Sequence, residues 1–334
     1  MKIGIIGGTG MLGHHIAIEA QIRQYEIVLI HRKDTDLDKV IDLRYESRVA
    51  DLNDRGSLIK AFKGLDAVAN CAAYYPTTPK PLAQEMKTAR LQMKFFLDAL
   101  GETKIQKSLY VGGAIAIPKV NMGIADEQGI YDKAPESLAP YVQVKWLMDE
   151  MAREAAKDGL PIVIGIPSMT FGEYDFTPTT GRLIVELSNR NLKAYVNGQR
   201  NVVSARDAGR GLLFALEKGR TGERYLITGE NTDMSTVVQT ICERANVPIL
   251  EKTLPLNMAK LISKIQETKY TLFRGDPPKL NSTAISVMAG GQHLDGARAQ
   301  AELDYTPELT LKDAIDRAYI WFEKHGYINY SSNQ

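Results

Sequence analysis

Lys2-Ile3-Gly4-Ile5-Ile6-Gly7-Gly8-Thr9-Gly10-Met11-Leu12-Gly13 is the stretch on which the reading of this chain turns. An apolar run of strand length passes directly into a glycine-rich turn, and an amphipathic segment follows. The first glycine permits a tight turn, the second lets backbone approach a pyrophosphate, and the third lets a helix pack close to the strand. The helix start then presents free N–H groups and the positive end of its dipole to phosphate. Glycine triplets alone are weak evidence, but a strand before and a helix after supply the context the motif requires. Gly7, Thr9, Gly10, Met11, Leu12 and Gly13 are therefore candidate dinucleotide contacts.

Further apolar runs occur at Ile27–Ile30, Ala67–Ala69, Leu109–Val111 and Ile162–Ile166, with amphipathic segments between them. Strands alternating with helices imply βαβ units, and continuous apolar runs imply strands covered on both faces. The expected fold is α/β, a Rossmann-type doubly wound parallel sheet with a smaller C-terminal substrate lobe. Residues 1–166 are assigned to the dinucleotide-binding domain. Residues 167–330 are assigned mainly to the lobe, with some segments returning to the sheet. In the second half, helices are expected near Leu183–Ser188, Ala205–Glu217 and Thr236–Ala245, and strands at Val202–Val203 and Tyr225–Ile227. The last helix is the clearest: Thr310 can cap it with Asp313 three residues on, and Gly326 suits its end.

Composition narrows the function classes. The 334 residues are 44% hydrophobic and 24% charged, which is ordinary for a globular chain. A formal net charge of +1 gives no global field for nucleic acid or an acidic membrane. Two cysteines, Cys71 and Cys242, make no disulfide framework and favour a reducing compartment. The Gly-broken start is too short for a signal peptide and no run of 18 apolar residues occurs, so a cytoplasmic protein with no membrane partner is expected. The five histidines show no metal-ligand spacing, and no metal is expected.

The second strand ends Ile30-His31-Arg32-Lys33, where NAD-preferring folds usually offer an acid to the ribose. Arg32 and Lys33 stand there instead, and a guanidinium can pair with a 2′-phosphate and stack on adenine, which favours NADP(H) over NAD(H); His31 and Arg32 are candidate cofactor contacts. A solvated basic turn is the plainer alternative, and Asp34 or Asp36 can also reach the ribose. Asp51-Leu52 closes the third strand near the adenine. Cys71, Ala72 and Ala73 follow the fourth, where small residues let the cofactor lie against the strand edge. Cys71 reads as a packing residue, since no basic partner is near it in sequence.

Tyr141-Val142-Gln143-Val144-Lys145 puts a phenol and an ammonium one helical turn apart. The lysine favours the phenolate and can hold the nicotinamide ribose, and the tyrosine can pass a proton to or from a carbonyl. With 15 tyrosines in the chain, about one such spacing arises by chance. Its position, on a helix between the fifth and sixth strands, is what carries weight.

With these residues the chain resembles the extended short-chain dehydrogenase/reductases of the NAD-dependent epimerase/dehydratase family. The likeness runs from the glycine turn through Tyr141 and Lys145 to the last helix. It is nearest to dihydroflavonol-reductase-like and hopanoid-associated sugar epimerase-like members, through Pro167-Ser168, Thr177-Pro178-Thr179-Thr180-Gly181-Arg182 and Gly222-Glu223-Arg224-Tyr225. The resemblance implies NAD(P) binding and carbonyl or alcohol redox chemistry, with Tyr141 as acid/base and Lys145 on the ribose. It also implies cofactor contacts at Pro167 and Met169, and dimerisation through helices beside the fourth and fifth strands, for which Met148 and Met151 are the candidate face. One departure is serious: the family's serine or threonine after the fifth strand is absent from Leu109-Tyr110-Val111-Gly112-Gly113-Ala114. An epimerase or dehydratase, or a catalytically silent dinucleotide-binding protein, therefore stands beside the reductase reading. The Arg-Tyr-Phe-Asn run of sugar-nucleotide epimerases is also missing after the sixth strand, which argues for a small organic carbonyl or alcohol as substrate. Tyr74, Tyr75, Ala114, Phe171 and Arg182 are the candidate substrate contacts.

Overall fold

The computed structural model describes residues 1–72, 74–76, 80–135, 139–273 and 281–329. Strands β1 (Lys2–Ile6), β2 (Glu26–His31), β3 (Glu46–Val49), β4 (Ala67–Asn70), β5 (Lys107–Val111) and β6 (Ile162–Pro167) alternate with helices α1 (Met11–Ile22), α2 (Arg55–Phe62), α3 (Leu82–Thr103) and α4 (Pro140–Lys157). The rest of the chain forms β7 (Met169–Phe171), α5 (Arg182–Ser188), β8 (Gln199–Ser204), α6 (Ala205–Lys218), β9 (Arg224–Ile227), β10 (Glu230–Asp233), α7 (Met234–Arg244), α8 (Leu256–Phe273), α9 (Ser282–Ala289), α10 (Ala297–Leu303) and α11 (Leu311–Lys324).

Seven strands form one sheet in the order β3-β2-β1-β4-β5-β6-β9, every pairing parallel. The chain leaves β1 for β2 on one side and returns to β4 on the other. The carboxyl end of β1 is thus the switch point, where such sheets open a crevice for ligand. Period-two alternation explains the continuous apolar runs. Val28 and Ile30 of β2 face the layer holding Phe96, Val144 and Met148, whereas Ile27 and Leu29 face Ile16, Leu212 and Leu213. One face is covered by α3 and α4, the other by α1 and α6. The Tyr225–Ile227 run is the seventh strand, paired with β6, so chain beyond residue 166 does return to the sheet.

The remaining strands form a second sheet, β10-β8-β7, with β10 antiparallel to β8 and β8 parallel to β7. Its core joins Phe171, Ile184, Val202, Val238, Ile315 and Phe322. Helix α11 starts as read: Thr310 accepts from the Asp313 N–H, and the Asp313 carboxylate accepts in return from the Thr310 N–H at 2.9 Å. Gly326 follows at φ +74°, the left-handed end that glycine allows. Met148 and Met151 differ from expectation. Met148 is buried in the core beneath α4, because the apolar stripe of that helix faces its own sheet, so it offers no dimer face, while Met151 is half-buried against the same core. Among the described residues no helix is long and apolar enough to cross a membrane.

Candidate active site

The glycine turn closes as a tight loop, with the Gly10 N–H donating to the Gly7 carbonyl at 3.0 Å and Gly7 at φ +82°. A Cβ on Gly13 would lie 2.4 Å from the Gly7 carbonyl oxygen, so only glycine lets α1 start this close to β1. No side chain caps α1 and its first turn holds no acid. Its leading N–H groups stay available for an anion, as a pyrophosphate requires. These three observations fit a dinucleotide, whose phosphates would lie against Gly7, Thr9, Gly10, Met11, Leu12 and Gly13. Just beyond, the buried His14 ring stacks on Tyr174 at 3.6 Å, and both it and the Tyr174 hydroxyl bond Asp42. This contact ties the loop after β7 to α1 beside the glycine turn.

At the far end of the crevice, His31 is held by the Arg32 carbonyl (2.9 Å) and the Ser47 hydroxyl (2.7 Å). Arg32 is exposed at the end of β2, and its guanidinium has no ion-pair partner among the described residues. The third strand ends at Val49 rather than at Asp51-Leu52. Asp51 lies beyond it in a turn, its carboxylate accepting from the Asn53 N–H at 2.7 Å, and Leu52 packs on the core. After β4, the Asn70 side chain accepts from the Ala72 N–H at 3.1 Å and fixes the strand end. Ala72 is exposed, and burial pushes the Cys71 thiol up to about 12, which leaves it un-ionised and inert near neutrality. Ala73 lies outside the described residues.

Tyr141 and Lys145 stand in the first two turns of α4, which Pro140 opens. Both turn toward the end of β5. A Cβ built on Gly113 would lie 3.6 Å from the Tyr141 hydroxyl and 3.8 Å from the Lys145 Cδ and Cε. Gly112 differs, since the nearest neighbours of a Cβ there would be Ile166, Ile164 and the Tyr110 ring. Of the two glycines, Gly113 is the one whose side chain would face Tyr141 and Lys145. Burial, with Tyr75 as a lesser cause, raises the Tyr141 phenol above its ordinary value, and burial lowers Lys145 to about 8. The sequence expectation ran the other way for the phenol. Loss of water dominates here, so Tyr141 holds its proton at neutral pH.

The two tyrosines after β4 part company. Tyr75 lays its ring over Tyr141, centroids 4.7 Å apart. Tyr74 donates its hydroxyl to the buried Glu85 of α3 and packs on the core, so it serves the fold rather than a pocket wall. Phe171 is fully buried in the lobe core, because β7 pairs with β8 and turns that ring inward. Arg182 is an exposed helix residue 3.6 Å from Glu186. Its neighbour Gly181 carries the constraint in that motif: a Cβ would lie 2.4 Å from the Phe322 ring, and its N–H reaches Asp175 at 3.2 Å. Ala114 is half-buried and opens the short 3-10 turn after Gly113. Pro167 ends β6 and Met169 begins β7. Between them Ser168 is buried, with no partner for its hydroxyl among the described residues. The sequence brings in Ser168 only through the Pro167-Ser168 likeness and assigns it no site role.

A cavity of about 360 Å³ lies against the start of α4, and Tyr141, Lys145 and Gly113 are not among its lining residues. Its near wall is Ile115, Ala139 and Val142, the last two flanking Tyr141 in sequence, and its far wall comes from α8 and α9. Helix α8 lies in residues 255–278, a stretch that is Lys-rich and reads as helical at its start, whereas no such signal marks α9.

The sequence profile of the NAD dependent epimerase/dehydratase family matches residues 3–228, which span the glycine turn, Gly113, Tyr141 and Lys145. A crystal structure described as a nucleoside-diphosphate-sugar epimerase from Pseudomonas aeruginosa superposes with a TM-score of 0.85 at 38% identity, covering 98% of this chain and 99% of that one. A Synechocystis sp. protein described provisionally as a dihydroflavonol 4-reductase is 26% identical over 97% of this chain and 95% of its own length. Sterol demethylase protein B of Methylococcus capsulatus is 24% identical over 97% and 99%. With the match running through both the glycine turn and the Tyr141 helix, this chain belongs to the NAD dependent epimerase/dehydratase family.

Proposed function

We propose that the chain is an NADP(H)-dependent oxidoreductase that reduces the carbonyl of a small organic substrate, or oxidises the corresponding alcohol. The observation that carries this reading is the convergence of the Tyr141 hydroxyl and the Lys145 side chain on the space above Gly113. A nicotinamide bound in the crevice supplies the hydride in reduction and takes it in oxidation. Tyr141 donates its proton to the carbonyl oxygen as the carbon gains the hydride, and the phenolate left behind is stabilised by the Lys145 ammonium. The phenol raised by burial starts in the protonated form that reduction needs. Lys145 also orients the ribose, and Tyr75 covers Tyr141 against water. Arg32 meets the 2′-phosphate, which gives the preference for NADP(H).

The test is NADPH oxidation over a panel of aldehydes and ketones with Tyr141→Phe as control. Turnover that Tyr141→Phe abolishes, with NADPH affinity retained, is the expected result; equal turnover in both proteins removes the reading. Cofactor titrations should show NADPH binding more tightly than NADH, with Arg32→Ala erasing the difference. A second reading, an epimerase or dehydratase that reoxidises its cofactor in each turnover, is favoured by the likeness to the Pseudomonas aeruginosa protein. Cofactor retained through purification with no net NADPH consumption would select it.

A further inference from the structure

We propose that the cavity beside Tyr141 takes an amphipathic organic anion: an apolar body within the slot, and one carboxylate, sulfonate or phosphate at its lysine-bearing wall. As a statement about the substrate, this rests on the Tyr141 chemistry proposed above.

Four of the cavity's lining side chains are branched aliphatics: Ile115, Ile117 and Val142, with Ile285 from α9. Its hydroxyls, Ser263, Ser282, Ser286 and Tyr131, are too few to satisfy every hydroxyl of a polyhydroxylated sugar, which would lose hydrogen bonds to water against the aliphatic wall. An aliphatic or aromatic body loses nothing there.

The charges come from the segment after the 3-10 turn and from α8. Lys119, Lys260 and Lys264 line the same cavity, with Glu267 as the one carboxylate among its lining residues. Glu267 already accepts from the Ser282 N–H at 2.7 Å, and Lys119 donates to the Ala289 carbonyl at 3.1 Å. Lys260 and Lys264 are four residues apart on α8, so their side chains leave the same face of the helix. Neither has an ion-pair partner among the described residues. The chain as a whole carries a formal charge of only +1, so this excess is a local feature of the cavity rather than a share of a basic surface. Two unpaired ammonium groups beside an apolar slot recognise a ligand with one charged end.

The experiment uses two fluorescent probes with the same ring system on the full chain without cofactor: 1-anilinonaphthalene-8-sulfonate, an anion, and N-phenyl-1-naphthylamine, which is neutral. The sulfonate should bind one per chain. In the double variant Lys260→Gln/Lys264→Gln its Kd should rise about five- to tenfold, as expected for two partly exposed charges. Most of that difference should vanish in 0.5 M salt, and the neutral probe should not change. Ser286→Trp, which fills the slot from α9, should weaken both probes. The proposal is overturned if the lysine substitutions leave the sulfonate affinity unchanged, or weaken both probes equally. It is also overturned if Ser286→Trp, with an unaltered melting temperature, leaves both affinities as they were. Because α8 is exposed where the lysines sit, the lysine variant keeps the test available even if Ser286→Trp fails to fold. An oxo acid and its methyl ester then address the reaction: the acid should show the lower KM, and lysine substitution should raise that KM without changing kcat. Probe binding as stated with no turnover of either compound would defeat the oxidoreductase reading and leave the pocket assignment standing.

Discussion

Restoring a hydroxyl at Gly113 gives the sharpest measure of whether this corner does chemistry. The backbone there is extended, at φ −155° and ψ 140°, so an L side chain enters without strain. The nearest atoms to the new Cβ are the Tyr141 hydroxyl at 3.6 Å and the Lys145 Cδ and Cε at 3.8 Å, all ordinary van der Waals contacts. A serine hydroxyl, one bond further out, comes within hydrogen-bond reach of Tyr141 and of an oxygen that Tyr141 protonates. One donor aimed at a developing oxyanion is worth roughly 3 kcal/mol, about a hundredfold in rate. Gly113→Ser should therefore raise kcat on small carbonyl compounds by up to about that factor, with stability unchanged to within about 1 kcal/mol. The control is Gly113→Ala, which adds the same Cβ without the hydroxyl. The assay is steady-state NADPH absorbance, with a urea titration of each variant to establish folding. A serine variant no faster than the alanine variant, both folded and both binding NADPH, refutes the claim that the missing donor limits Tyr141.

Other substitutions probe the supports of the site. Gly13→Ala drives a methyl to 2.4 Å from the Gly7 carbonyl oxygen; it should cost about 1–3 kcal/mol in urea unfolding and weaken NADPH binding measured by fluorescence, and unaltered values for both would remove the cradle argument. Lys145 falls to about 8 on burial from an ordinary 10.5, so between those values the unfolded chain holds a proton that the folded chain has released, and stability rises with pH. Lys145→Met should accordingly be more stable than wild type below about pH 8, by up to ~3 kcal/mol, with the gap closing toward pH 10.5 in denaturant titrations of the cofactor-free protein. Gly181→Ala meets the Phe322 ring at 2.4 Å and should lower the melting temperature through a loss of about 1–3 kcal/mol; a neutral result would show that α11 shifts freely.

What the sequence discloses and what it hides divide by the distance over which each feature is determined. The phosphate turn is local: Gly7, Gly10 and Gly13 act within one strand-to-helix junction, so their spacing and flanks sufficed. The same holds for Tyr141 and Lys145, one turn apart on α4, and for the Thr310–Asp313 box. Strands buried on both faces were legible because continuous apolar runs leave little alternative. Strand β10 was not, since Glu230–Asp233 carries no apolar signal and forms only by pairing with β8. Side-chain direction failed wherever partners lie far along the chain. Tyr74 and Tyr75 look alike in sequence, yet the loop after β4 sends one to Glu85 and the other to Tyr141.

This division bears on function as well as fold. The segments proposed to bind the dinucleotide and move a proton are short and local. The cavity proposed for the substrate is walled in part by α8 and α9, more than a hundred residues beyond Tyr141. On this reading, related chains can keep Tyr141 chemistry and change substrate largely through the distant helices. For the same reason, a relative's substrate carries over to this chain only as far as its cavity walls match, and the unpaired lysines are the feature to compare.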